Sequence, residues 1–261
     1  MKRLICTYGD KGGVGKSTIA RALGEVLIAA DKRPLLVDAD PTVGHLVGYL
    51  GVRGDDGWPV IPQPPTGVRT YALHGSADDR VEFGAILEAG RDLIVVDLPA
   101  ASATLLRQVE ADYGLFGLAH QMGYDVTLIA ALTPDAASML AVADAAELDP
   151  DATIIAARNL AFGESRHFLV WDGSESEGVG PARGKEIIAR RGAEIEVPRL
   201  DPATVALLGT HRLTYHEAIA SPRLILPRRQ QVARWLSQVQ GEFERVGTAL
   251  GFGGRAKRGA A

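Results

Sequence analysis

The 261-residue chain has one cysteine, Cys6. A single thiol excludes a disulfide framework and an intrachain Cys-x-x-Cys metal site, and it fits a reducing cytoplasm. No stretch approaches about 18 uninterrupted apolar residues, so no membrane-spanning segment is expected. Met1-Lys2-Arg3 runs directly into a short apolar strand, which leaves no room for a cleavable leader. There is no internal repeat. His211 and His216 are five apart, not at the i, i+4 spacing of a helix-face metal pair. His74, beside Gly75, stands alone and takes no role. The bulk is ordinary for a soluble globular protein, 46% hydrophobic and 23% charged.

Net charge is −4, unevenly spread. Residues 1–180 carry 14 basic and 25 acidic side chains; residues 181–261 carry 14 basic and 7 acidic. A basic last third suits contact with an anionic partner such as DNA, and it equally suits charges scattered over unrelated surfaces.

The strongest signal is Tyr8-Gly9-Asp10-Lys11-Gly12-Gly13-Val14-Gly15-Lys16-Ser17-Thr18. An apolar run, residues 4–7, leads in, and a helical pattern over residues 17–30 leads out. Strand, glycine-rich turn, Lys-Ser and helix, in that order, define a phosphate-binding loop. Glycines let successive N–H groups turn inward as an anion nest, and the helix N-terminus adds its positive dipole end. Gly12 to Thr18 are therefore expected to bind nucleotide. Lys16 is expected to reach the β- and γ-phosphates, and Ser17 to ligate Mg²⁺.

A second lysine, Lys11, precedes the glycines. Lys-Gly-Gly-Val-Gly-Lys-Ser resembles the deviant Walker A motif of the ParA/MinD ATPases. The resemblance implies a doubly wound α/β fold, a mostly parallel sheet flanked by helices. It implies Mg²⁺ and ATP as ligands, and an ATP-dependent homodimer in which Lys11 reaches the partner's nucleotide. A lysine leaving the loop ahead of its tight turn is badly placed to fold back on its own phosphates. It is well placed to neutralise charge in a facing subunit, as an arginine finger does. Asp10 replaces the usual first glycine. Its carboxylate is expected to point away from phosphate, toward a basic group across the interface.

Pro34 to Asp38 reads as a buried parallel strand ending in Asp38-Ala39-Asp40-Pro41. Strand carboxyl ends are where α/β sheets bind ligands. By the resemblance, Asp38 holds a Mg²⁺-bound water and Asp40 positions the attacking water. Thr42 and Val43 replace the family's Gln-Gly. Residues 92–97 form a second such strand, and Asp97 matches the Walker B aspartate that holds Mg²⁺ through water. Residues 98–104 match the switch that follows it.

Residues 51–67 are too rich in glycine and proline for a helix. Trp58 is expected to anchor that loop. Further strands are expected at 68–72, 126–134, 153–157 and 195–198, with a helix over 135–147. By the resemblance, Asn159 reads the adenine edge and the backbone at Pro198 borders the base pocket. A strand-ending Asn also serves turns. Pro227 to Leu250 reads as a helix with one apolar face, from Val232 to Leu250, packed on the core. Residues 1–250 are expected to form one domain, followed by a flexible basic tail, 251–261. That tail is too glycine-rich for a MinD-like membrane helix.

The expected function is a slow Mg²⁺-ATPase acting as a dimerisation switch in plasmid or chromosome partition or conjugative DNA transfer. It would have a stimulating partner protein and a bacterial cytoplasmic, nucleoid-associated location. The rival readings are an ATP-dependent ligase of the dethiobiotin synthetase or cobyrinic acid amidase type, and a MinD-like positioning ATPase. A shared metal cluster is excluded by the position of Cys6.

Overall fold

The computed structural model describes residues 2–253. Seven strands form one fully parallel sheet. They are β1 (Lys2–Tyr8), β2 (Leu35–Asp38), β3 (Arg69–Thr70), β4 (Leu93–Asp97), β5 (Tyr124–Leu132), β6 (Thr153–Asn159) and β7 (Gly192–Val197). The spatial order is β3-β2-β4-β1-β5-β6-β7. The helices are α1 (Lys16–Ala29), α2 (His45–Leu50), α3 (Ala77–Phe83), α4 (Ser102–Tyr113), α5 (Leu115–Gln121), α6 (Ala136–Leu148), α7 (Leu169–Asp172), α8 (Arg183–Arg191), α9 (Pro202–His211), α10 (Tyr215–Ala220) and α11 (Leu226–Val246).

The strand sequences are apolar without alternation because both faces of the sheet are covered. Leu4, Cys6 and Tyr8 of β1 face one core, with residues of α3 to α8. Ile5 faces the other, with α1, α2 and α9 to α11. Burial pushes the Cys6 thiol up to about 12, so it is inert packing.

The chain winds from β1 outward to β2 and β3, returns to insert β4, then crosses β1 to β5. The crevice at this reversal lies at the carboxyl ends of β1, β2 and β4. Register places Asp38 directly beside Asp97 in the neighbouring strand.

α11 runs as far as Val246, and a 3₁₀ turn over Gly247–Leu250 completes the expected stretch. Val232, Trp235, Leu236, Val239 and Phe243 are buried, as a core-packing face requires. The packed chain runs two residues into the expected tail. Phe252 packs against the second core, and its N–H donates to Gly247 O at 3.0 Å. Residues 254–261, most of the basic tail, lie outside the described residues. No described helix is long and apolar enough to cross a membrane.

Residues 51–67 contain neither helix nor strand, though Gln63 ties the loop internally through Val52 N and O and Val60 O. Trp58 is exposed, and it ties the loop to the end of α9 through the Arg212 guanidinium, 3.0 Å from its ring centroid.

Candidate functional site

α1 begins at Gly15, which sits at φ 104°, and no side chain caps its N-terminus. Its first turn also lacks acidic residues, so its leading N–H groups are open to an anion. A Cβ at Gly15 would lie 2.2 Å from Asn159 Nδ2, so the position is closed to other residues by both backbone and space. A cavity of about 410 Å³ opens over this turn. Gly12, Gly13, Gly15, Lys16, Ser17 and Thr18 line it, with Asp38, Asp40 and Asp97 opposite. Val14 is the exception within the motif. Its side chain is buried in the second core, and its carbonyl accepts Asn159 Nδ2 at 2.9 Å.

Lys16 is 5% exposed and bent across the loop, with Nζ donating to Gly9 O at 2.7 Å and Lys11 O at 2.8 Å. Burial lowers its pKa, against the pull of Asp97 and Asp10. Asp97 is 3% exposed and accepts the Thr7 hydroxyl at 3.2 Å and the Ser17 hydroxyl. Burial, with Asp38 alongside, pushes its pKa up to about 7. Two buried carboxylates and a serine hydroxyl around one cavity are oxygen donors short of positive charge. That donor set fits a hard divalent cation such as Mg²⁺.

Asp38 is busier than its sequence context suggests. Oδ1 accepts Asp40 N at 3.2 Å, and Oδ2 accepts Leu46 N at 2.8 Å and Val47 N at 3.0 Å. It holds the start of α2, and burial outweighs these bonds to raise its pKa. Asp40 is half-buried on the cavity wall, and its side chain makes no hydrogen bond among the described residues.

Lys11, next to the lining residue Gly12, is exposed, and its ammonium pairs with Asp135. Asp135 is also the N-cap of α6, accepting Ala137 N at 2.9 Å. Within its own chain, Asp10 is bonded to the backbone at the start of α4. Its Oδ1 accepts Ala103 N at 2.8 Å, and its carbonyl accepts Ala101 N at 2.9 Å. Gly9 and Ser102 add two more bonds, each 3.0 Å. The phosphate loop is thus fastened to the start of α4, the segment expected to act as a switch.

Asn159 is 4% exposed beneath the loop, holding Val14 O and accepting Ala161 N at 3.1 Å. Pro198 O accepts Trp235 Nε1 at 2.6 Å, and the Trp235 ring packs 4.5 Å from Tyr215. Neither Asn159 nor Pro198 lines the cavity over the phosphate loop, whereas Tyr215 does.

Sequence reasoning missed a second group on the same wall. Arg21, Tyr49, Val205 and Tyr215 extend the cavity beyond Thr18. Arg21 is 7% exposed, its guanidinium between the Tyr49 and Tyr215 rings at 3.5 and 4.0 Å. It pairs with Glu25 at 3.1 Å and donates to Leu213 O at 2.7 Å. The available signal was Arg-x-x-x-Glu inside a helix otherwise apolar on that side.

Comparison with known proteins agrees with this geometry. The family described as the CobQ/CobB/MinD/ParA nucleotide binding domain matches residues 5–160. Protein TraL of Escherichia coli is 26% identical over 94% of this chain and 98% of its own. The chromosome-partitioning ATPase Soj of Thermus thermophilus is 33% identical over 40% of this chain and 48% of its own. Two solved structures share the fold. An ATP complex of Cyanothece McdA covers 98% of this chain and 99% of its own, with a TM-score of 0.56 and 14% identity. MinD of Pyrococcus horikoshii with Mg-ADP covers 94% and 97%, with a TM-score of 0.50 and 16% identity. The chain belongs to the CobQ/CobB/MinD/ParA family of nucleotide-binding domains, a family of P-loop ATPases.

Proposed function

We propose that the chain is an ATP-driven dimerisation switch that hydrolyses ATP slowly on its own and faster with a partner protein. One observation carries this reading: Lys11 is exposed and paired with Asp135, outside the cavity lined by the groups that serve the chain's own nucleotide. Lys16 and the open N-terminus of α1 neutralise the phosphates of the bound nucleotide. Ser17 would ligate Mg²⁺, with Asp38 and Asp97 holding it through water, and the ion would add positive charge at the β- and γ-phosphates. Asp40, unpartnered on the wall, orients the attacking water. Water attacks the γ-phosphorus in line, ADP leaves, and the proton from water passes to solvent or Asp40. Lys11 leaves Asp135 and neutralises charge at the nucleotide of a second subunit. Asn159 and Pro198 do not line the cavity, and they serve the loop and the Trp235 packing rather than the adenine edge.

The partial likeness to the chromosome-partitioning ATPase Soj supports DNA-linked cargo, in partition or conjugative transfer. The family also includes CobQ and CobB, so a ligase reading needs a test. ATP turnover without any added small molecule, stimulated by DNA, supports the switch; turnover strictly dependent on a carboxylate substrate supports the ligase. Asp40→Ala is expected to bind ATP, lose turnover by about 100-fold or more, and accumulate as a dimer on size exclusion. A variant that stays monomeric with ATP, or retains turnover, contradicts the assignment.

A further inference from the structure

The cavity has two ends of different chemistry. One end is the phosphate loop. The other, one helical turn further along α1, is the wall of Arg21, Tyr49, Val205 and Tyr215. Lys16, Ser17 and the α1 N-terminus answer the phosphates, so the far wall faces whatever is attached to them. The residue at position 21 is a buried cation where the rest of α1, from Ile19 to Leu27, presents mostly apolar side chains to the core.

The guanidinium is held rigidly. Its two faces are covered by the Tyr49 and Tyr215 rings. Nε is committed to Glu25 and Nη2 to Leu213 O. Glu25 is itself fixed, accepting Tyr215 N and His216 N, each at 3.1 Å. The third nitrogen, Nη1, has no hydrogen-bond partner among the described residues, yet it is not among the enclosed orphan atoms. A side chain packed this firmly, with one whole nitrogen left over on the wall of a ligand cavity, is built to meet an acceptor.

We propose that Arg21 is a recognition residue for the nucleoside half of the ligand, donating through Nη1 to an acceptor on the sugar or the base. Guanidinium only donates, so it selects a hydroxyl oxygen or a purine ring nitrogen. Sandwiching between tyrosines keeps the fork in one plane, so little entropy is lost when the bond forms. The proposal rests on the nucleotide reading of the cavity and adds the part of the ligand that the phosphate loop leaves unread.

The test is calorimetric titration with ADP and with inorganic pyrophosphate, both in excess Mg²⁺, which avoids turnover. The wild-type protein binds ADP more tightly than pyrophosphate. Arg21→Gln weakens ADP about 10- to 100-fold, the range for one charge-assisted hydrogen bond, and leaves pyrophosphate unchanged. Arg21→Lys retains a cation beside buried Glu25 and guards against a folding defect. It too loses ADP affinity selectively, because one ammonium does not replace the fork. With 2′,3′-dideoxy-ADP, disappearance of the Arg21 effect places the acceptor on the sugar, and persistence places it on the base; either supports the assignment. Equal loss of ADP and pyrophosphate would reduce Arg21 to a structural strut, and unchanged ADP affinity would remove it from the site. A wild-type protein that binds ADP and pyrophosphate equally well also overturns the Arg21 assignment. Failure to bind either ligand would instead overturn the nucleotide site itself, and the assignment with it.

Discussion

Asp97 carries a cost that the polypeptide alone does not relieve. It is a carboxylate in the core, with Asp38 at the next register position and a pKa raised to about 7. A raised carboxyl pKa means that the fold favours the protonated form. The metal-free protein therefore loses stability as pH rises from the ordinary value, 3.8, toward 7. Asp97→Asn is expected to stabilise the metal-free protein at neutral pH by about 1–4 kcal/mol. The same change should abolish the rise in melting temperature on adding MgCl₂ with ADP. A lower melting temperature for the variant without metal contradicts this account. Asp97, Asp38, Lys16 and Ser17 were legible in the sequence because their motifs fix strand ends and a loop. Arg21 was not, because its stacking partners arrive from α2 and α10. The bond from Ala103 N to Asp10 was not legible, because α4 meets the loop only in the fold.

The elements around the site are held by side chains from other elements. α2 is six residues long and starts on the Asp38 carboxylate. α10, also six residues, starts on Glu25 of α1, with its own Thr214–Glu217 capping box. Helices so short have little stability alone, so they form where a distant cap and a core face meet them. This is why the long buried strands, α1, α6 and α11 could be read from the sequence and the short helices could not. His216 completes the α10 contact, with Nδ1 3.2 Å from Glu25 Oε2. The Glu25 hydrogen bond raises the His216 pKa above its ordinary 6.5. Its contribution is fully present below that value and is lost as pH rises through the higher folded value. His216→Gln is therefore expected to lower the urea midpoint at about pH 6 and to match the wild type at about pH 9. A deficit that is the same at both pH values contradicts the ion pair.

At the scale of the molecule, composition counted charges but not their partners. Several arginines of the basic last third serve the fold. Arg228 donates to Asp201 at 3.0 Å and Thr204 at 2.7 Å. Arg191 caps the carbonyls at the end of α6, and Arg245 binds Glu194 O and Glu242. Arg199 and Arg234 remain exposed, without an ion pair among the described residues, on one cleft with Gln231 and Gln238. If DNA is bound, replacing Arg199 and Arg234 by Ala should weaken it and reduce the salt dependence by roughly 0.9 per lost phosphate contact. Arg228→Ala should cost stability and leave that slope alone. An unaltered slope in the double variant removes the cleft from the DNA surface.

The central claim is that the two lysines of one loop serve two nucleotides. Size exclusion with light scattering measures it directly. Wild-type protein should be monomeric with Mg-ADP and dimeric with Mg-ATP. Lys11→Ala should bind ATP within about two-fold of wild type yet remain monomeric with it, because the ammonium lies outside its own phosphate cradle. A Lys11→Ala protein that dimerises with ATP as fully as the wild type would contradict the account.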